Sequence, residues 1–234
     1  MNKEKLPIVV SLTTWKKRIE TVSKTIESII KNCNPYKISL TLSTEEFPGK
    51  ECEVPDSLLE LNRKGILDFI WIGPNLKSFK KVLFAIDKYR DFPIVSADDD
   101  CLYQEDYVKI LYDKWMTDKS SIWTYKRVNI TNAFYFGHGP ACLYPPYCFR
   151  KYGIMMLSKE IVETRHDDIY YGVLAKMMGI PVKKAIMDNS HAPYVFHDEI
   201  EPLHQQELRG ELCINICLRS LGSAMCKLPA EELC

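Results

Sequence analysis

Four apolar runs of strand length, at residues 7–12, 38–42, 67–72 and 92–97, alternate with segments whose apolar residues recur at helical spacing. That alternation admits few folds. Parallel strands need a crossover between them, usually a helix, and strands covered on both faces are apolar along their length. After the first run, Ile19, Val22, Ile26, Ile29, Ile30 and Cys33 keep to one helical face, and Lys24, Glu27 and Lys31 take the other. After the second, residues 43–54 read as an irregular loop, with Ser57 capping a short helix that bears Leu58, Leu59 and Leu61. After the third, Gly73-Pro74-Asn75 turns into a helix starting near Ser78, with Phe79, Val82, Leu83 and Ile86 as its buried stripe. The chain is therefore expected to be α/β, a Rossmann-like and mostly parallel sheet flanked by helices.

Beyond residue 100 the pattern predicts a helix over 106–116, an extended segment over 121–125, and a long loop over 128–147 with room for a hairpin. A strand over 152–157, a helix over 168–178 ended by Gly179, a strand over 181–186 and an amphipathic helix over 203–221, interrupted near Gly210, complete it. A length of 234 residues suits a single α/β domain. The 31 lysines and arginines balance 31 acidic residues, so no broad basic face for nucleic acid is expected. Nine cysteines form no CxxC pair, and the chain shows neither the apolar core of a leader nor a membrane span. Reduced thiols in a cytoplasmic protein are the expectation. Cys213 and Cys217 stand one helical turn apart, as half a soft-metal site or, more simply, as small buried hydrophobes.

Chemistry concentrates in Asp98-Asp99-Asp100, which follows the apolar run at 92–97 and so stands at the carboxyl end of a buried strand. Ligands of open α/β sheets bind in the crevice beyond those ends. Crowded carboxylates need a cation or a proton, and hard oxygen donors suit Mg²⁺ or Mn²⁺ carrying a diphosphate. A solvated acidic turn before the next helix is the plainer alternative. Asp167-Asp168 opens a predicted helix, where carboxylates favour the positive end of the dipole.

Taken in order, these features resemble the GT-A glycosyltransferases, in particular bacterial family 2-like enzymes. Val10-Ser11-Leu12-Thr13-Thr14-Trp15-Lys16-Lys17-Arg18-Ile19 looks like the group's opening motif, and Leu42-Ser43-Thr44-Glu45-Glu46-Phe47-Pro48 like its second-strand exit. Ser78-Phe79-Lys80-Lys81 looks like its basic helix start, and Leu143-Tyr144-Pro145-Pro146 like its acceptor-side segment. The resemblance spans about residues 6–190 and implies a GT-A-like catalytic domain over 1–200. A nucleotide-binding half at about 6–102 and an acceptor half at about 103–200 would compose it, with 201–234 as a helical C-terminal extension.

What the resemblance implies is transfer of a sugar from a nucleotide diphosphate donor to a glycan or lipid-linked glycan acceptor, in bacterial capsule or lipopolysaccharide synthesis. A metal fixed by carboxylates would offset the charge developing on the departing diphosphate. Asp100 is the first expected ligand, Asp98 a second or a ribose contact, and Asp99 a helper of either. Thr13, Arg18 and Lys80 would approach the nucleotide, with Lys81 the solvated member of its pair. Asp168 would take the acceptor proton in an inverting displacement, supported by Asp167. His166 and Tyr144 would meet the acceptor, although Tyr144 could equally be core, as could Phe134, Tyr135, Phe136 and Tyr147. Either His191 or His197 could complete the metal shell. His138 and His204 read as ordinary loop residues. The last helix packs on the domain by default, with a homodimer contact or peripheral docking at the inner face of the membrane as sharper alternatives. Two other classes share some of these residues: a Mg²⁺-dependent nucleotidyltransferase or phosphohydrolase, disfavoured by the lack of a Gly-rich phosphate loop, and a nucleotide- or glycan-binding module without turnover.

Overall fold

The structure is a computed structural model and describes residues 5–131, 134–137, 140–149, 152–186, 194–197 and 210–225. In chain order it runs β1 (Leu6–Thr13), α1 (Val22–Cys33), β2 (Pro35–Ser43), α2 (Asp56–Arg63), β3 (Leu67–Ile72), α3 (Lys80–Lys88), β4 (Ile94–Ser96) and β5 (Cys101–Tyr103). Then come α4 (Tyr107–Thr117), β6 (Ile122–Thr124), β7 (Arg127–Thr131), β8 (Phe134–Gly137), β9 (Cys142–Tyr144), α5 (Tyr152–Met155), α6 (Lys159–Thr164) and α7 (Asp167–Met177). β10 (Val182–Lys184), β11 (Tyr194–Phe196) and α8 (Gly210–Met225) close it.

Seven strands form the main sheet in the order β10-β6-β9-β4-β1-β2-β3. β1 to β4 pair in parallel, β10 pairs in parallel with β6, and β9 runs antiparallel between β4 and β6. This is the α/β sheet expected from the alternation. Strand β1 shows why both faces must be covered. Ile8, Val10 and Leu12 enter the core beneath α1, α2 and α4, whereas Val9 points into the core built by α3, α7 and α8. Side chains alternate along a strand, so an unbroken apolar run feeds two cores at once.

Helix α1 follows its predicted face, burying Val22, Ile26, Ile29 and Cys33, and ends at Asn34 in the left-handed region (φ 43°). Asparagine tolerates that conformation better than most residues with a side chain. Helix α2 starts two residues earlier than expected, after Pro55, so Ser57 lies inside it rather than at its cap. Two departures are larger. The segment 152–157, expected as a strand, begins as helix α5, where Gly153 lies so close to α3 that a Cβ there would meet Leu83 Cδ2 at 2.7 Å. A short apolar run carries no period to tell strand from helix. Within the expected loop of 128–147, β7 and β8 pair as a hairpin, and β9 is an interior strand of the main sheet. The last helix is described from Gly210, so residues 203–209 lie outside the described set. Among the described residues no helix is long and apolar enough to cross a membrane.

Candidate active site

Strand order reverses between β1 and β4, and the crevice at such a switch point is where open α/β sheets hold ligands. Four pieces of chain meet at its rim: the exit of β1 with the turn Lys16–Arg18, the exit of β4 with the acidic triplet, the start of α3 and the start of α7.

The triplet is held by the protein's own cations. Arg18, 4% exposed, donates through Nη1 to Asp99 Oδ1 at 2.9 Å and to Asp100 Oδ2 at 3.1 Å. Thr14 donates to the other Asp99 oxygen at 2.6 Å. Burial pushes the Asp99 carboxyl up to about 6, against the pull of Thr14 and Arg18. Asp100 is also raised, by burial and by Asp98 beside it. Asp98 accepts from Lys81 Nζ at 2.7 Å, and its backbone N–H donates to the Tyr103 hydroxyl at 2.7 Å. Tyr103 stacks on Tyr107 with ring centroids 4.1 Å apart, and Tyr107 donates to the carbonyls of Ser96 and Pro140. Two buried tyrosines thus brace the turn from below.

Lys81 is the main correction to the sequence reading. Expected in solvent, it is 8% exposed and reaches Asp98 and, at 3.3 Å, Asp167 Oδ2 at the start of α7. Burial alone would drive its ammonium toward the neutral form, but Asp167 and Asp98 more than offset this and hold it well above the ordinary lysine value. Burial raises the Asp167 carboxyl, with Lys81 opposing. Lys80 turns elsewhere, to Glu46 Oε2 at 2.9 Å and Asn75 Oδ1 at 3.0 Å near the exits of β2 and β3. Burial lowers its pKa in spite of Glu46.

Thr13 spends its hydroxyl on the Thr41 carbonyl at 2.7 Å, a bond within the sheet, and leaves contact with the triplet to Thr14. Asp168 and His166 are half-buried at the start of α7. Tyr144, proposed for the acceptor, is instead a core residue of β9, 4% exposed and packed against the rings of Phe149 and Tyr171. The rings of Phe149 and Tyr171 cover it, so it cannot offer a sugar an open face. Phe134, Tyr135 and Phe136 are strand residues of β8 whose side chains lie outside the described set, and Tyr147 is 52% exposed.

His197 comes to the triplet by an unforeseen route. β11 pairs antiparallel with β5, and the His197 N–H donates to the Asp100 carbonyl at 2.9 Å. Thr25 gives its hydroxyl proton to the Asp99 carbonyl at 3.0 Å, so its 2.9 Å contact with His197 Nε2 makes that nitrogen the donor. Nδ1 is left with a buried lone pair that no hydrogen bond satisfies. An imidazole with one nitrogen tied down by a hydrogen bond and the other unpaired has the form of a metal ligand. With the side chains of Asp98 and Asp100, 28% and 19% exposed, the donor set suits a hard divalent cation that takes one or two carboxylates. Among the described residues no three acidic, histidine or cysteine groups converge on one point. His138, His191 and His204 lie outside the described residues.

The sequence reading missed Thr14, Thr25, Tyr103 and Lys81. For Lys81 a signal existed: α3 buries Lys80, Lys81, Val82, Leu83, Ala85 and Ile86, and a helix start buried on nearly all sides leaves no wet face for a lysine.

The fold defined by this sheet and crevice is GT-A-like. No protein-family model matches the chain, nor does any curated protein sequence. Among solved structures, S. aureus TarS 1–349 in complex with UDP-GlcNAc is similar over 97% of this chain and 69% of its own, with a TM-score of 0.59 and 10% identity. S. aureus TarS 1–349 alone gives 0.54 at 11% identity, and a structure of S. aureus TarS, of which this chain spans 46%, gives 0.53 at 12%. The likeness is one of fold.

Proposed function

We propose that the chain is a nucleotide-sugar-dependent glycosyltransferase. The observation that carries this reading is the cluster at the switch point, where, among the described residues, Asp98, Asp99, Asp100 and Asp167 form their ion pairs with Arg18 and Lys81. The fold likeness to a protein solved with UDP-GlcNAc supports a nucleotide diphosphate sugar as donor. Asp98 and Asp100, with His197 bonded beside the triplet, would hold Mn²⁺ or Mg²⁺, and the ion when bound would offset charge on the diphosphate. Arg18, itself buried, keeps Asp99 and Asp100 aimed. Lys80, buried and fixed by Glu46 and Asn75, balances charge near the exits of β2 and β3. Asp168 takes the proton of the attacking acceptor hydroxyl, His166 flanks the acceptor, and the displacement inverts the anomeric centre. The acceptor is a glycan or lipid-linked glycan of a bacterial surface polysaccharide, used in the cytoplasm at the inner face of the membrane.

The first test is thermal stability with Mn²⁺ and a panel of nucleotide diphosphates and their sugars, for wild type and Asp100→Asn. A ligand at 100 times its Kd adds about 2.7 kcal/mol by mass action. A metal-dependent rise in Tm with one nucleotide class, absent in Asp100→Asn, is expected. No rise with any nucleotide at millimolar concentration overturns the reading. Asp168→Asn should keep that rise and lose about 10²–10⁴-fold in turnover. Turnover that survives the substitution moves the base elsewhere.

A further inference from the structure

Lys81 touches three separate parts of the site. Its backbone carbonyl accepts from the Ser11 hydroxyl of β1 at 2.5 Å, which ties the start of α3 to the central strand. Its ammonium reaches Asp98, at the exit of β4, and Asp167, at the start of α7. Asp98 belongs to the donor side of the crevice, and Asp167 adjoins the residue expected to receive the acceptor proton. One cation therefore stands between the two sides of the crevice and, among the described residues, forms ion pairs with both carboxylates.

A buried ion pair kept only for stability is a poor bargain, because well-packed apolar side chains serve as well or better. This one lies at the mouth of a crevice, with the Asp98 side chain still 28% exposed. Resting on the transferase reading, we propose that Lys81 is a positioning residue that fixes the start of α7, and with it Asp168, against the donor-side carboxylate Asp98. The ammonium sets how far the base stands from the sugar carbon under attack. A displacement of that distance by about 1 Å is enough to cost about 10²-fold in rate. Donor affinity depends on the other side of the crevice and is largely spared.

The test compares wild type, Lys81→Met, Lys81→Arg, Asp167→Asn and the double variant Lys81→Met/Asp167→Asn. The probes are UDP-, GDP- and dTDP-sugars, donor affinity is read by calorimetry, and turnover by release of the nucleoside diphosphate. Lys81→Met should lose at least 50-fold in kcat with donor Kd changed by less than threefold, and Lys81→Arg should recover part of the loss. The double variant, whose charges again balance, keeps the assay open if Lys81→Met alone fails to fold. Its kcat should be no lower than that of the worse single variant, because groups acting as one unit do not add. Wild-type kcat in the double variant would make Lys81 a charge-balancing residue and overturn the proposal, as would losses that multiply or a fall in affinity matching the fall in kcat. A wild type that binds and turns over no sugar nucleotide would instead overturn the transferase reading, and this proposal with it.

Discussion

Helix α3 carries a cationic residue into an ionic cluster at each of its ends, and the two clusters are opposites. At its far end Lys88 and the Tyr89 hydroxyl meet Asp68, near the start of β3, and Lys37 of β2 approaches the same carboxylate at 3.5 Å. One acid faces two ammonium groups and a hydroxyl, with the Asp68 and Lys88 side chains 26% and 43% exposed. At its near end Lys81 enters a cluster in which, among the described residues, four carboxylates face two cations, with Arg18, Lys81, Asp99 and Asp167 buried. Burial would raise the Asp68 carboxyl, yet Tyr89 and Lys88 outweigh it and leave the group below its ordinary value. At Asp99 and Asp100 burial prevails and both are raised. Among the described residues, the Asp68 cluster matches its one acid with two cations, whereas the crevice cluster holds more carboxylates than cations. The contrast separates a contact that closes a surface from a site arranged to receive something.

Removing a cation from the crevice should do the most damage. Arg18→Met leaves Asp99 and Asp100 buried without their guanidinium, and breaking a buried pair from one side costs about 3–5 kcal/mol. For a chain of this size that is a fall in Tm of about 10 °C at pH 7. Differential scanning calorimetry of the unliganded protein checks it. A fall no larger than that of a surface charge variant would erase the distinction between the clusters.

How much of this contrast is legible in the sequence follows from the range of each interaction. Period and alternation report whether a segment is strand or helix, and they found β1 to β4, α1, α3 and α7 to within a few residues. They also set the triplet at a strand exit, because that needs only the run before it. The same patterns are silent on which elements become neighbours. β9 is three residues long, amid glycines and prolines, and becomes an interior strand through its partners β4 and β6. For that reason Tyr144 stood between acceptor contact and core in the sequence, and the structure makes it core. Lys80 and Lys81 are adjacent and chemically alike, and only the packing of α3 sends one to Glu46 and the other to Asp98. His197 depends on a distant pairing, of Tyr103, Leu102 and Cys101 on β5 with Tyr194, Val195 and Phe196 on β11.

A smaller effect of unusual sign sharpens the comparison. Since burial and Asp98 raise the Asp100 carboxyl, the folded state disfavours its charge relative to the unfolded chain. Without metal or nucleotide, Asp100→Asn should therefore melt about 1–2 °C above wild type at pH 7, even though it abolishes the ligand-induced rise. A loss of stability of the size expected for Arg18→Met would mean that the Arg18 pair, not the crowding of carboxylates, dominates at this residue.

Asp68→Asn tests the other end of α3, where the smallest change is expected and its sign is reversed. The Asp68 carboxyl lies below its unfolded value, because the Tyr89 hydroxyl and Lys88 overcome burial. A depressed carboxylate contributes stability that is fully present above the unfolded pKa of about 4 and is lost as the pH falls through the folded value. The substitution should lower Tm by about 1–2 °C at pH 7, as partly exposed pairs contribute little. The gap between variant and wild type should close as the pH is brought below 4, since both then carry a neutral group at this position. Salt should narrow it as well, because these side chains are open to screening. A gap that persists in acid would mean that the Tyr89 hydrogen bond, rather than the charge on Asp68, holds the end of α3 to β3, and the two clusters would then differ in kind as well as in degree.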